Sequence, residues 1–385
     1  MLWTPCVRID LPVDAWPEHV EVMSGLVDEL IQALEQGGVS RVNMAFSAAA
    51  LRAFGEQGHG PLLERTRTLA EDGRIEMLST AAHGALLPLL PAAELERQIT
   101  LNDCENRRWF GDGYRPQCLW PPVLAASQKV AEVASGLDFT GLLVDEAALR
   151  VWPGEWEGDR IDAAAQLPGF FLLPCSRRGS YAFALGGIRS DRELERYVPH
   201  SSSALLTYLI TAVDLRQGLA PHLSLFALAD RVRTARTEDL YVTIPLSRTT
   251  SLLPCSRRST AEEISSGLPF AAWFRPGDER QGLKWHLMTK LVQVLDQLET
   301  RGLGATPAFV TLRETLDVCW RESWWRDVVE GRTDPLQQLM RAVENLDDAL
   351  AAEDREELAE TGAALGPSGR AVSLGSAAPV AGASP

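Results

Sequence analysis

The amino-acid sequence predicts an α/β fold built on a parallel sheet. Short β-rich runs alternate along the chain with longer segments of helical periodicity, an arrangement typical of βα units around a parallel sheet. Eight β-rich runs are predicted as strands, over residues 7–11, 42–46, 75–78, 119–120, 141–144, 170–173, 240–244 and 308–312. Periodicity alone does not decide whether this sheet is open or closed into a barrel.

The helical segments have the spacing and the ends that amphipathic helices need. Between Val20 and Leu34 the apolar residues recur at helical spacing, and Gly37 with Gly38 ends the helix. Further helices are predicted after later β-rich runs, over residues 62–69, 92–109 and 127–133. We therefore expect βαβ units of ordinary size.

Composition and charge limit the partners that the chain can have. The 385 residues are 45% apolar and 23% charged, so the chain can bury a large core. A formal net charge of −15, without a concentrated basic patch, argues against a nucleic-acid partner. The sequence has neither a signal-peptide pattern nor an apolar run of membrane-spanning length, so we expect a cytoplasmic protein without a membrane partner.

Cysteine and histidine spacing indicates neither a metal nor a cofactor. The six cysteines are far apart and form no C-x-x-C pair, so neither a zinc clip nor a disulfide framework is predicted. The six histidines also occur singly, without the paired spacing typical of metal ligands.

The chain is expected to divide into three parts. The main α/β domain is predicted over residues 1–275. Helical apolar spacing at 285–298 and 336–350, with a charged outer face, predicts a C-terminal helical subdomain over residues 276–361. Residues 362–385 are almost all Ala, Gly, Ser and Pro, which predicts a disordered tail.

One heptapeptide, Leu-Leu-Pro-Cys-Ser-Arg-Arg, occurs at residues 172–178 and again at 252–258. The residues around the two copies do not match, which excludes a solenoid repeat. Two interpretations stay open. The copies are either similar turns at strand ends, or loops whose arginines bind an anionic group and lower the pKa of the adjacent thiol, Cys175 or Cys255.

A longer segment carries a resemblance to a known family. Residues 73–91 contain a Gly-Arg-Ile-Glu run, then His83 and an apolar stretch with two prolines, and they resemble the second signature region of glycoside hydrolase family 57. The segments around Phe46 and from Phe110 to Pro122 resemble neighbouring parts of that family. The resemblance extends from about residue 40 to 150, and it is weaker between 205 and 330.

The resemblance implies a distorted seven-stranded (β/α)7 barrel that acts on α-glucans by a retaining mechanism. Members of the family are hydrolases, transglycosylases or branching enzymes. A retaining mechanism needs two carboxyl groups about 5 to 5.5 Å apart, one as the nucleophile and one as the general acid.

Three positions that handle substrate in the family are changed in this chain. The nucleophile belongs three residues after Trp120, where the chain has Val123, which cannot attack a sugar. No carboxylate follows the run at 240–244, where the general acid belongs. The family's His-Gln-Pro signature is replaced by Asp10-Leu11-Pro12.

The remaining polar candidates are expected at strand ends, where β/α barrels build their sites. The fallback catalytic carboxylates are Glu76, Asp145 and Glu146, although Glu76 is equally well interpreted as an internal hydrogen-bond anchor. For His83 we favour a buried core residue over a sugar ligand. The predicted substrate-binding residues are Asp10, Glu76, His83, Trp120 and Trp273, with Trp152 and Trp156 as further stacking candidates.

Four classes of function stay open at this point. The leading hypothesis is a catalytically impaired family-57-like protein that binds α-glucan-type sugars or regulates a partner. The alternatives are an active retaining α-glucan hydrolase or transferase with relocated carboxylates, and a non-sugar scaffold for a protein partner or a second copy of the chain. A deacetylase-type metalloenzyme is disfavoured by the single histidines.

Overall fold

The described part of the protein contains two five-stranded sheets whose strands alternate with helices. The structure is a computed structural model. It describes residues 2–11, 16–37, 41–148, 163–167, 170–177, 179–180, 204–210, 233–234, 237, 246–247 and 252–321, with a few further positions at 192–196 and 340–344.

The two sheets are almost entirely parallel. The strands are β1 (Leu2–Ile9), β2 (Val42–Phe46), β3 (Ile75–Leu78), β4 (Cys118–Leu119), β5 (Gly141–Asp145), β6 (Ala163–Leu167), β7 (Phe170–Cys175), β8 (Ala204–Ile210), β9 (Arg233–Thr234) and β10 (Leu246–Ser247). The first sheet has the order β3-β2-β1-β8, with β9 also paired to β1, and the second has the order β10-β6-β7-β5-β4. Only the β6–β7 pairing is antiparallel among the described strands.

The two sheets meet at both edges and so close into a barrel. Directly after β3, Ser79 forms a parallel bridge with Leu119 of β4, and the Trp120 backbone N–H donates to the Ser79 carbonyl at 2.8 Å. At the other junction β7 lies beside β8. Among the described strands, β1 to β5, β7 and β8 therefore form a ring of seven, which agrees with the predicted (β/α)7 barrel.

Eight α-helices surround or extend this ring within the described residues. They are α1 (Pro17–Glu35), α2 (Ala48–Glu56), α3 (Gly60–Glu71), α4 (Ala92–Phe110), α5 (Gln128–Gly136), α6 (Ala261–Ser265), α7 (Glu279–Thr300) and α8 (Pro307–Cys319). Side-chain caps begin several of them. The Ser47 hydroxyl accepts from the Ala50 backbone N–H at 3.2 Å, and Thr260 with Glu263 forms a capping box.

The strands alternate between a helix-facing and an interior face. In β1, Val7 and Ile9 pack in the apolar cluster shared with α1, whereas Cys6 packs in the barrel interior. The interior cluster is apolar and at most 1% exposed, and we call it the interior plug. Its residues are Cys6, Ala45, Leu78, Cys118, Trp120, Leu124, Leu143, Leu173 and Cys175.

Most predicted strands agree with the structure to within a few residues. The runs at 42–46 and 75–78 match β2 and β3, and the run at 170–173 lies inside β7. The run at 240–244 lies outside the described residues, as do the predicted tail at 362–385 and most of the predicted helix at 336–350.

The predicted strand at 308–312 is wrong, because these residues belong to helix α8. The Thr306 hydroxyl accepts from the Phe309 backbone N–H, and Pro307 occupies the first helical position. Buried residues then recur at helical spacing at Phe309, Leu312 and Leu316. A short apolar run fits either structure when its flanking cap is overlooked.

The C-terminal helices share one apolar cluster with the barrel. Trp285 of α7 stacks on Trp320 with ring centroids 5.6 Å apart, and both lie in a cluster that also contains Leu86, Leu87 and Ala126. The predicted boundary at residue 276 therefore does not separate two apolar cores within the described part of the chain. No helix among the described residues has the length and apolarity to cross a membrane.

The N-cap of α8 can be tested by mutation. We expect Thr306→Ala to lower the free energy of unfolding by about 1 kcal/mol, because it leaves a helix N–H without its acceptor. Urea denaturation followed by circular dichroism measures the change. The matched control is Thr311→Ala on the exposed face of the same helix, which should change stability by less than about 0.5 kcal/mol. Equal effects at both positions would contradict the N-cap.

Candidate active site

The polar side chains at the carboxyl ends of the strands form the candidate site. Arg8 and Asp10 come from the end of β1, His83 from the loop after β3, and Asp145 from the end of β5. Since parallel strands of a barrel end at the same face, these residues lie on the binding side of the fold.

Arg8 and Asp10 form a buried ion pair. Arg8 Nη2 donates to Asp10 Oδ2 at 2.5 Å, and the two residues are 2% and 6% exposed. Burial acts to raise the pKa of Asp10, but the charges of Arg8 and Arg321 outweigh it, so the pKa lies below its ordinary value. Among the described residues, Arg8 Nε and Nη1 have no hydrogen-bond partner. Arg8 thus retains donor capacity inside the barrel.

His83 lies beside this pair and is buried, as the favoured interpretation predicts. It is followed by Gly84, where a Cβ atom would come within 2.8 Å of Asp10 Oδ2. Burial, together with the charges of Arg52 and Arg97, lowers the pKa of His83 to about 3. Neither ring nitrogen makes a hydrogen bond within the described residues. The ring is therefore neutral at pH 7, with one donor and one acceptor to offer.

Asp317 of α8 connects His83 to a charged network between helices. Asp317 Oδ2 lies 3.5 Å from His83 Nε2, and Gln98 donates to Asp317 Oδ1 at 2.8 Å. Arg97 bonds to both Glu94 and Asp317. Burial raises the pKa of Asp317, although Arg97 opposes this shift. The network fixes α8 against α4 and so positions the loop that carries His83.

Val123 occupies the position that the resemblance assigns to the nucleophile. It is 1% exposed and has φ 49° and ψ 24°, and Leu124 follows with φ 53°. A β-branched residue rarely adopts this left-handed conformation, which surrounding contacts must enforce. The Arg257 backbone N–H donates to the Val123 carbonyl at 2.9 Å and helps to hold the turn.

Asp145 is fully engaged by an internal partner. Arg177 donates to both carboxylate oxygens, with Nε–Oδ2 and Nη2–Oδ1 distances of 3.0 Å, and the Ala147 backbone N–H donates to Oδ1 at 3.0 Å. Burial raises the pKa of Asp145, while the hydrogen bonds and charge of Arg177 oppose the shift. Glu146 Oε1 accepts from the Arg177 backbone N–H at 3.0 Å. Two of the three predicted fallback carboxylates, Asp145 and Glu146, therefore hold the segment directly after β7.

The two copies of the heptapeptide meet at this ion pair. Arg177 of the first copy donates from Nη2 to the carbonyl of Ser256 in the second, at 3.1 Å. The second copy also pairs with the loop after β4, because Cys255 and Ala126 exchange backbone hydrogen bonds of 2.9 and 3.2 Å. Burial raises the pKa of both Cys175 and Cys255, which contradicts the reactive-thiol interpretation.

Glu76 was expected at the carboxyl end of its strand, but the structure places it near the amino end. It is the second residue of β3, opposite Asn43, on the amino side of the interior plug. Glu76 Oε2 accepts from the Thr237 backbone N–H at 2.5 Å, and Oε1 accepts from the Thr237 hydroxyl. Because Asp145 lies on the carboxyl side of the plug, the structure does not bring Glu76 and Asp145 together as a pair.

The described candidate tryptophans have buried rings. Trp120 is 0% exposed and belongs to the interior plug, although its Nε1 has no hydrogen-bond partner within the described residues. Trp273 is 1% exposed, and its carbonyl accepts from Trp285 Nε1 at 3.1 Å. Neither ring offers a free face for stacking on a sugar. Trp152 and Trp156 lie outside the described residues.

Sequence reasoning missed the groups that complete the site. The sequence pattern could have identified Arg8, since it is a charged residue between the apolar residues Val7 and Ile9 of a strand. It could also have identified Asp317, because it follows the apolar Leu316 inside the helical pattern of α8. In the described part of the chain, no group of three or more His, Cys, Asp or Glu residues is arranged to hold a metal ion.

Comparisons with known proteins agree with this fold. Residues 15–166 match the family model Glycosyl hydrolase family 57, so the resemblance inferred from the sequence is confirmed over that segment. No curated protein matches the chain.

Three solved structures show the same fold. A GH57-type branching enzyme from Pyrococcus horikoshii is 13% identical with a TM-score of 0.66, covering 89% of this chain and 88% of its own. The α-amylase AmyC from Thermotoga maritima is 11% identical with a TM-score of 0.63, covering 92% and 93%. A 4-α-glucanotransferase from Thermococcus litoralis is 14% identical with a TM-score of 0.57. This chain spans less than half of its length, since the likeness covers 79% of this chain and 45% of that one.

The neutral His83 ring predicts a pH dependence of stability. The unfolded histidine gains a proton below its ordinary pKa of about 6.5, whereas the folded residue stays neutral down to about pH 3, so stability falls as the pH falls. Between pH 7 and pH 5 this loss is about 2 kcal/mol. We expect His83→Gln to remove that part of the pH dependence in urea titrations. The control is His286→Gln on the exposed face of α7, which should leave the dependence unchanged.

The Asp145–Arg177 pair predicts a large loss of stability on mutation. Asp145→Ala leaves the Arg177 guanidinium without its carboxylate, and we expect about 3 kcal/mol of destabilisation in urea denaturation. The matched control is Arg67→Gln, which removes an exposed ion pair with Glu64 and should cost less than about 1 kcal/mol. Similar losses in the two variants would show that the Asp145 pair contributes no more than a surface pair.

Proposed function

We propose that this chain, whose residues 15–166 match glycosyl hydrolase family 57, binds an α-glucan-type saccharide at the carboxyl end of its barrel without hydrolysing it. The matching solved structures are described as a branching enzyme, an α-amylase and a 4-α-glucanotransferase. These descriptions support a carbohydrate ligand and, more narrowly, the α-glucan class.

The positions of the carboxylates are the main support for the proposal that the saccharide is not hydrolysed. Val123 stands at the nucleophile position and has no group that can attack an anomeric carbon. Both carboxylate oxygens of Asp145 accept hydrogen bonds from Arg177, and Glu76 lies beyond the interior plug. A retaining mechanism needs two carboxyl groups facing one bond, and the three fallback carboxylates do not supply such a pair.

Buried polar atoms with unused hydrogen-bonding capacity support the binding part. His83 is 4% exposed, Thr80 and Trp120 are 0% exposed, and all three have side-chain polar atoms without a partner in the described structure. A buried donor or acceptor without a hydrogen-bond partner costs free energy. A ligand group that bonds to it recovers this cost as binding free energy. Sugar hydroxyls both donate and accept, and they suit a neutral imidazole, a hydroxyl and an indole N–H.

Binding and turnover measured on the same sample test the proposal. We expect calorimetric titration with maltotriose and longer maltooligosaccharides to give saturable binding, while the released reducing ends stay at the buffer level. His83→Phe, which removes both ring nitrogens, should weaken binding by about tenfold. The exposed-site control His286→Phe should bind like the unmodified protein.

Two results would overturn the proposal in different ways. Release of reducing ends that Asp145→Asn abolishes would show that the chain is an enzyme with a relocated carboxylate. No binding to any maltooligosaccharide would remove the saccharide ligand and favour a scaffold without a sugar site.

A further inference from the structure

We infer that the saccharide bound at the carboxyl end of the barrel carries an acidic group, a carboxylate or a phosphate, which Arg8 recognises. This inference rests on the proposed function and narrows its ligand class. It assigns to Arg8 the role of the residue that determines specificity.

The position of Arg8 makes it a recognition group rather than a surface charge. It alternates with Val7 and Ile9, which pack towards the helices, so its side chain projects into the barrel. It is 2% exposed, and among the described residues its guanidinium bonds to Asp10 through Nη2. Nε and Nη1 are left without a partner in the described structure. A guanidinium with free donors in a buried site is well suited to bind a carboxylate or phosphate.

The charges around Arg8 do not balance. Asp10 is the carboxylate that faces Arg8, and Arg321 acts on the same carboxylate and on His83. Within the described residues Arg321 forms no ion pair of its own. It is placed near the site by an antiparallel bridge to Ala85, two residues after His83. Two guanidinium groups therefore meet one carboxylate, and one further negative charge would neutralise the site.

The other described arginines around the site have carboxylate partners, and Arg52, which also acts on His83, pairs with Glu105. Arg97 and Arg313 are offset by Glu94 and Asp317, two cations against two anions. Arg177 is offset by Asp145. Within the described residues, Arg8 and Arg321 are therefore the cations that Asp10 alone offsets, and His83 adds no charge because it is neutral at pH 7.

Neutral polar atoms at the same end suit the rest of the ligand. Asp10 lies against the loop that carries His83, because a Cβ atom on Gly84 would approach Asp10 Oδ2 to 2.8 Å. The Thr80 hydroxyl comes from the same loop. An acidic sugar would bond to Arg8 through its charge and to His83 and Thr80 through its hydroxyls.

The test compares acidic and neutral sugars on the full chain. Glucose, glucuronate and glucose 1-phosphate are titrated by calorimetry, with acetate and inorganic phosphate as sugar-free anions. We expect at least one acidic sugar to bind about tenfold or more tightly than glucose, and tighter than its sugar-free anion. The preference should fall with ionic strength. If glucuronate binds more tightly than glucose 1-phosphate, the site prefers a carboxylate. The reverse order indicates a phosphate.

Two variants test whether the site causes the preference for acidic sugars. Arg8→Met should bring acidic sugars to the affinity of glucose, and thermal unfolding checks that it folds. If it does not fold, Arg321→Gln, at a half-buried position, should reduce the preference by at least about threefold. The control is Arg275→Gln, at an exposed position, which should retain the full preference.

The outcomes separate this inference from the proposed function. Equal affinity for glucose and the acidic sugars, with maltotriose still bound, overturns the acidic ligand and leaves the saccharide site in place. Equal affinity for an acidic sugar and its sugar-free anion also overturns it, since an anion site would then suffice. Binding of neither maltotriose nor any acidic sugar contradicts the proposed function itself.

Discussion

The partly buried ion pair between Asp145 and Arg177 is the interaction on which the site depends. It joins the end of β5 to the end of β7, and the same guanidinium bonds to the carbonyls of Ser256 and Ser259 at 3.1 and 3.0 Å. Removing either partner would leave a buried charge uncompensated, which is more costly than losing a surface pair. The pair therefore fixes the segment 252–259 against the barrel, and both carboxylate oxygens of Asp145 are occupied by hydrogen bonds.

That fixed segment determines the shape of the loop at the nucleophile position. Cys255 pairs with Ala126, and the Arg257 backbone N–H bonds to the Val123 carbonyl, so the strained turn is held from one side. Val123 packs in the apolar cluster that the barrel shares with the C-terminal helices, whereas the next residue, Leu124, belongs to the interior plug. A packed apolar side chain thus occupies this position, while Arg8, His83 and Trp120 have side-chain nitrogens without a hydrogen-bond partner among the described residues.

Local patterns in the sequence predicted much of the fold and less of the site. The strands β2 and β3 could be located because they are short apolar runs that follow helices ended by glycine or an Asp-Gly turn. The segment 308–312 could not be identified from apolar content alone, since the Thr306–Pro307 cap decides it. The strand β8 has a strand-like composition, and its role as the partner that closes the ring with β1 depends on tertiary pairing.

Interactions between distant residues account for what the sequence did not reveal. The sequence alone does not indicate that Arg177 pairs with Asp145, or that the two heptapeptides contact each other. The candidate Glu76 is the second residue of the predicted run 75–78, so the sequence already placed it near the amino end of β3 rather than at the carboxyl end where a site residue was expected. Val123 could be recognised from the sequence, since the family motif defines its position by spacing from Trp120.

A crystal structure of the protein incubated with a maltooligosaccharide would show the ligand and the ion pair together. We expect an intact oligosaccharide beside His83, at the carboxyl end of the barrel, with Arg177 still paired to Asp145. A sugar bonded covalently to Asp145, or a cleaved product in a site where Arg177 has moved away, would contradict this expectation.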